Sequence, residues 1–404
     1  MYTMHSLCRA CGCKNLEPVL SLGLQPLAND FCRSGEERAG FAPLEVLFCP
    51  ICTLAQLSVV IRPEILYSNY SYVTSASRMM QDHFSRLWRD MQNEGPCSGI
   101  VEIGSNTGDF LRFALDNGAQ SVIGIDPAKN LCEISRSKGI QAIERAFDAS
   151  TASDANEIIG KVDAVVARHV FCHIDNWQAF IRNLRTLGHS ETFYCIEVPY
   201  APDMLAMNSF DQVYHEHLSY LTIKAMIACL RDTGLHIHRI SRYAIHGGAI
   251  VITLRQDDSK ITPDVYAWGH IRQEHMTPES WIGFAGRTED QRAILFELIE
   301  KLLAEDNTVA GFGASAKSTV WINACKLTKK HIRFLCDSTP QKQGRLSPGS
   351  DIPILTESEL VSQGPDYAVC FAWNFASEII SKQSEFVSNG GQFIVPVPEV
   401  KILQ

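Results

Sequence analysis

The chain has 404 residues, enough for two or three domains of ordinary size. With 46% hydrophobic and 20% charged residues it reads as a globular protein, and a formal net charge of −9 argues against a nucleic-acid partner held by bulk charge. No apolar run approaches the ~20 residues that span a bilayer, and the opening MYTMHSLCRACG has no apolar signal core, so no membrane partner and a cytoplasmic location are expected.

Of the fourteen cysteines, most (Cys195, Cys229, Cys370) stand singly in apolar segments and read as small buried hydrophobes of a reducing compartment. The N-terminal ones differ. Cys8-Arg-Ala-Cys11 and Cys49-Pro-Ile-Cys52 are two C-x-x-C knuckles, each able to present two thiolates to one metal. Four cysteines leave no open coordination position, which predicts a structural Zn2+ ion stapling a zinc-binding lobe over residues 1–65, with Cys13 as a spare.

Residues 66–256 alternate between strand-like and helical patterns, as a doubly wound parallel α/β sheet does. GIVEIGSNTGDFLRFAL (99–115) reads as a buried strand, a glycine-rich turn and an amphipathic helix whose N-terminus favours a negative group. The strand 121–125 ends in Asp126, followed by Pro127, where an acid can accept both ribose hydroxyls of a nucleotide. Together these turns are similar to motifs I and II of class I S-adenosylmethionine (SAM) methyltransferases, and the similarity implies Glu102, Gly104, Asn106, Gly108, Asp126 and Pro127 at the cofactor. Strands are expected at 141–145, 162–170 and 192–200. Phe147, His169, His173 and Glu197 then lie at or just past strand ends, where ligands of such sheets bind. Phe147 and His169 are taken as further SAM contacts. Residues 236–256 read as an antiparallel hairpin turning near His246-Gly247-Gly248.

DQVYHEHLSYL (211–221) follows the fifth strand and gathers His215, His217, Glu216 and Tyr214. A histidine titrates near neutral pH and suits proton abstraction; Glu216 would orient a histidine and Tyr214 would donate to a developing enolate. Residues 257–404 are expected to form a Rossmann-like domain. A helical stretch (264–306, with Trp268, Trp281 and Phe296 packing) precedes the strand–turn–helix of GFGASAKS, a strand ending in Asp337, a polar loop with Arg345, and a strand ending in Trp373 and Asn374.

These segments jointly resemble the SAM-dependent nucleotide-sugar C-methyltransferases, such as the C-3′-methyltransferases of TDP-4-keto-deoxysugars, over essentially the whole chain. The motifs that carry the resemblance are CRACG with SLGLQPLANDF (21–31), FDQVYHEHLSYLT (210–222), HGGA (246–249), GFGASAKS (311–318) and FAWNFASEI (371–379). The resemblance implies an enolate formed beside a 4-keto group and methylated at C-3. It implies His217 or Tyr214 as base, Glu216 as orienting partner, and Tyr72 and His173 lining the active site. It also implies His246 on the sugar, and Lys317, Arg345 and Asn374 on a nucleotide diphosphate, TDP-linked in the first instance. Three positions depart from the family pattern: His169 where asparagine is common, Ala249 where serine is common, and Ser318 where glycine is common. Competing readings are an O- or N-methyltransferase, an NAD-dependent sugar oxidoreductase built on Gly311-x-Gly313, and a non-catalytic zinc module.

Overall fold

The computed structural model describes residues 1–67, 70, 77–245, 247–256 and 276–403. Tyr72, His246 and Trp268 lie outside these described residues.

A seven-stranded sheet forms the middle of the molecule. Its order is His236–Tyr243, Ala249–Arg255, Phe193–Pro199, Ala164–Arg168, Gly99–Ile103, Ser121–Ile125, Gln141–Ile143. The five strands from Phe193–Pro199 onward are parallel, and the first two form an antiparallel hairpin added at the edge. The central strands are buried along nearly their whole length, as expected where helices cover both faces. This is the order of a class I methyltransferase sheet, with the hairpin where its sequence placed it.

The C-terminal sheet has six strands, ordered Ile354–Leu355, Leu335–Cys336, Val309–Phe312, Tyr367–Cys370, Gln392–Val395, Lys401–Leu403, with only the last antiparallel. The helix Pro278–Ala304 leads into it. Pro278 occupies its first turn, and Thr277 and Ser280 form a reciprocal cap. Trp281, Phe284, Leu295, Ile299 and Leu302 recur at helical spacing and are buried, whereas Phe296 is half-buried.

The N-terminal segment is not closed on itself. Its four-stranded sheet runs Glu17–Pro26, Phe41–Phe48, Ala55–Leu57, and then Ser219–Tyr220, a strand lent by the 211–221 run. One hydrophobic core joins this sheet to residues 201–220 and to the C-terminal sheet, and a second joins the cysteine knuckles to the middle sheet. The histidine-rich run is therefore clamped between three layers. No helix among the described residues is long and apolar enough to cross a membrane.

Candidate active site

Local structure explains why the 211–221 run exposes some of its polar groups to a common centre and buries others elsewhere. A 3-10 turn at Phe210–Gln212 is followed by a turn in which the His217 N–H bonds the Tyr214 carbonyl at 2.9 Å. A separation of three residues in a turn puts Tyr214 and His217 side by side, with ring centroids 4.0 Å apart and the Tyr214 hydroxyl 2.5 Å from His217 Nε2. His217 Nδ1 faces the Gln212 carbonyl at 2.9 Å. A carbonyl only accepts, so Nδ1 carries the proton and Nε2 accepts from the tyrosine hydroxyl. Burial, and then His173, hold the His217 pKa well below the usual histidine value, so the ring is a neutral base. His215 turns the other way, to the Pro43 carbonyl at 3.2 Å in the N-terminal sheet, and burial lowers it to about 4.

Glu216 does not orient a histidine. Its carboxylate accepts from Asn29 Nδ2 at 2.8 and 2.9 Å and from the Tyr70 hydroxyl at 2.7 Å, and it is 2% exposed. The orienting role belongs to the backbone carbonyl of Gln212. Tyr70, like Asn29, was not singled out in the sequence, since nothing local marks either as a partner of residue 216. His173 closes the other side: its ring centroid lies 5.2 Å from that of His217, its Nδ1 is 3.4 Å from the Tyr67 hydroxyl, and burial with His169 lowers it to about 3.

At the carboxyl ends of the middle strands, Gly104, Asn106 and Gly108 all adopt left-handed backbone conformations, the turn that the G-x-N-x-G spacing predicts. Asp126 accepts from the Asn106 N–H and the Ala128 N–H, each at 2.9 Å, and burial raises it to about 6 against those two bonds. Each carboxylate oxygen keeps a further lone pair for a hydroxyl, which suits the ribose of SAM. Glu102 departs from expectation: it is fully buried and paired with Arg168 at 2.7 Å, and burial raises it to about 7. It fixes Arg168 rather than facing a ligand. Pro127 is exposed beside Asp126, and Phe147 packs edge-on against Phe180 with centroids 5.3 Å apart. His169, at a left-handed φ of 53°, meets Glu197.

The C-terminal domain faces the same centre. Lys317 Nζ donates to Asn374 Oδ1 at 3.3 Å and stands 4.3 Å from the Trp373 ring centroid, and its charge is felt at His217. Lys342, absent from the sequence-based set, is buried, donates to the Ala314 carbonyl at 2.7 Å, and acts on Glu216 electrostatically. Burial lowers both lysines. Arg345 is not with them; its guanidinium bonds the carbonyls of Gln341 and Phe31 at 2.7 and 2.9 Å and so ties the C-terminal domain to the N-terminal segment. Ser318 closes a reciprocal cap with Ser315, and Ala249 is a fully buried strand residue, so both departures from the family pattern have structural roles.

The four knuckle cysteines converge. Cys8 Sγ lies 3.4 Å from Cys52 Sγ and Cys11 Sγ 3.6 Å from Cys49 Sγ, and all four sulfurs fall within 4.8 Å of one another. A tetrahedron of Zn–S bonds of ~2.3 Å has edges of about 3.8 Å, so the set fits a closed zinc site. Cys13 turns to the Asn15 carbonyl. Between the ligands of the first knuckle, Arg9 is buried and bonds Asp175, the Leu57 carbonyl and the Leu218 carbonyl. It links the knuckle to the residues that follow His173 and His217.

Family models match three consecutive parts of the chain: a zinc binding domain (8–67), a methyltransferase domain (72–240) and a C-methyltransferase C-terminal domain (244–398). The C-methyltransferase NovU of Streptomyces niveus is 34% identical over 405 residues, covering 98% of this chain and 96% of that protein. The chain belongs to this C-methyltransferase family. Among solved structures, the C-methyltransferase is similar to magnesium protoporphyrin IX methyltransferase (ChlM) of Synechocystis with bound SAM (16% identity, 44% of this chain and 80% of that one, TM-score 0.34). A SAM-dependent methyltransferase of Mesorhizobium loti is likewise similar (14% identity, 42% and 96% coverage, TM-score 0.33). The enzyme is a SAM-dependent C-methyltransferase with a structural zinc site.

Proposed function

We propose that the enzyme methylates a carbon next to the 4-keto group of a nucleotide-activated deoxysugar, TDP-linked and cytoplasmic. The observation that carries this reading is the Tyr214–His217 pair, a neutral base bonded to a phenol, with the Lys317 ammonium acting on His217. SAM, when bound, supplies an electrophilic methyl. Carbon, unlike a hydroxyl oxygen, becomes a nucleophile only after losing a proton, and a 4-keto group acidifies its two neighbours, C-3 and C-5. C-3 is the position that the family resemblance suggests.

In this reading the Tyr214 oxygen takes the substrate proton as its own proton passes to His217 Nε2, and the Gln212 carbonyl holds the imidazole in the accepting tautomer. Half-buried Lys317, steadied by Asn374, and buried Lys342, 4.0 Å from the Asp337 carboxylate, suit a diphosphate. Tyr72 and His246 are proposed at the sugar. The test is mass spectrometry of the protein with SAM and a panel of TDP-4-keto-6-deoxyhexoses in deuterated water. The expected result is one added methyl, with deuterium entering C-3 or C-5 when SAM is omitted. Methylation without any carbon-bound exchange would overturn the enolate.

A further inference from the structure

Every transfer of a methyl group from a sulfonium to a neutral C–H centre releases one proton. The C–H bond breaks, the C–CH3 bond forms as the S–CH3 bond breaks, the sulfonium becomes a neutral thioether, and the proton is left on the enzyme. Tyr214 and His217 are a poor resting place for it. His217 is 9% exposed, and it and its neighbour His173 are both held far toward the neutral form.

Behind this pair lies a cluster that the reaction as described does not use. Glu197, at the end of the strand Phe193–Pro199, is 1% exposed. His83, from the helix Arg78–Glu94, brings Nε2 to 2.9 Å from Oε1 and 3.1 Å from Oε2. His169 Nε2 is 3.4 Å from Oε1. His169 reaches this place through a left-handed φ of 53°, a strained conformation for a non-glycine residue, and its backbone N–H bonds the Glu197 carbonyl at 2.7 Å. Burial alone would protonate Glu197, but His83 and His169 together hold it well below the usual carboxylate range. A buried carboxylate flanked by two imidazoles is a place where a proton is welcome.

Toward the reacting centre, His169 leads into the 3-10 turn Phe171–His173, whose His173 ring lies 5.2 Å from that of His217. His169 acts electrostatically on His173 and His217. At the far end, the His83 ring meets the Tyr243 ring edge-on at 5.2 Å; Tyr243 donates to Asp90, a half-buried residue two turns along the same helix, and Arg86 covers its ring.

We propose that His83, Glu197 and His169 form a proton relay that accepts, through His169, the proton each turnover leaves on Tyr214 and His217 and passes it by way of Glu197 to His83 on the helix Arg78–Glu94. The proposal rests on those two residues being the proton acceptor. It concerns proton export, so its signature separates the first turnover from later ones. The experiment is rapid-quench assay of His83→Gln and Glu197→Gln proteins, with SAM and TDP-4-keto-6-deoxyglucose as the probe. The expected result is a first turnover at the wild-type rate, later turnovers slower by about tenfold or more, an unchanged KM, and recovery of the later turnovers on adding free imidazole. A first turnover slowed as much as the later ones means a structural role and overturns the relay; so does a steady state equal to wild type in both variants. NMR of the product places the new methyl and tests the carbon chemistry separately, because an oxygen nucleophile also sheds one proton.

Discussion

Tyr214 and His217 illustrate how three residues of spacing become chemistry. The turn aligns the two side chains, one carbonyl fixes the tautomer, and burial keeps the imidazole neutral, with Nε2 free to accept from its neighbour. Both Tyr214→Phe and His217→Ala should therefore lower kcat by about 10²–10⁴-fold with little change in KM, measured by steady-state methyl transfer. A Tyr214→Phe protein with wild-type kcat would give His217 the direct role. Asp126 offers a pH test. Burial raises it from 3.8 to about 6, so the protonated acid is favoured in the folded protein, and the stability this contributes, full below pH 3.8, is lost as pH rises through about 6. Ribose hydroxyls donate to the ionised form and pull the other way. SAM affinity by calorimetry should thus fall as pH drops below about 6 and be flat above it, and an Asp126→Asn protein should bind weakly with no such dependence.

At the scale of elements, turns carry the strictest demands. Gly104 has φ of 67°, and a Cβ there would meet both Val170 Cβ and Cγ2 at 3.0 Å, on the loop that leads to His173. Gly104→Ala should weaken SAM binding by at least about tenfold, because the strain and the contact both act on the turn that must approach the cofactor. Equilibrium dialysis with labelled SAM reads this directly. Gly247, in the turn of the terminal hairpin, marks the contact between domains: a Cβ would sit 2.5 Å from the Trp373 ring. Trp373 in turn donates to Asp211 at 2.6 Å, and Trp321 to the same oxygen at 3.1 Å. Asp211 lies in the 211–221 run, so the C-terminal domain grips the loop that carries Tyr214 and His217.

In the whole molecule, Arg9 links the first cysteine knuckle to the 211–221 run: it stands between Cys8 and Cys11 and bonds the Leu218 carbonyl next to His217. A zinc site holds a small lobe in its fold, and the lobe's sheet includes Ser219–Tyr220. Removing the metal with a chelator should therefore reduce methyl transfer by about tenfold or more while SAM affinity, which depends on a turn built within the middle sheet, changes less. Equal loss of both would show that the lobe supports the entire fold.

The sequence by itself determined what local backbone geometry encodes. The two cysteine knuckles, the G-x-N-x-G turn with its acid one strand later, and the adjacency of Tyr214 and His217 are each set within a few residues or one strand–helix unit. Alternating strands and helices likewise fixed both nucleotide-type sheets. Tertiary structure decided the partners. Asn29 and Glu216 are 187 residues apart, and Phe31 and Arg345 are 314 apart, so no spacing announces that the first pair would displace the expected Glu216–histidine contact or that the second would turn Arg345 toward the N-terminal segment. A buried polar group takes whichever partner the packing of distant layers brings within hydrogen-bond reach, and that choice is made by the fold as a whole.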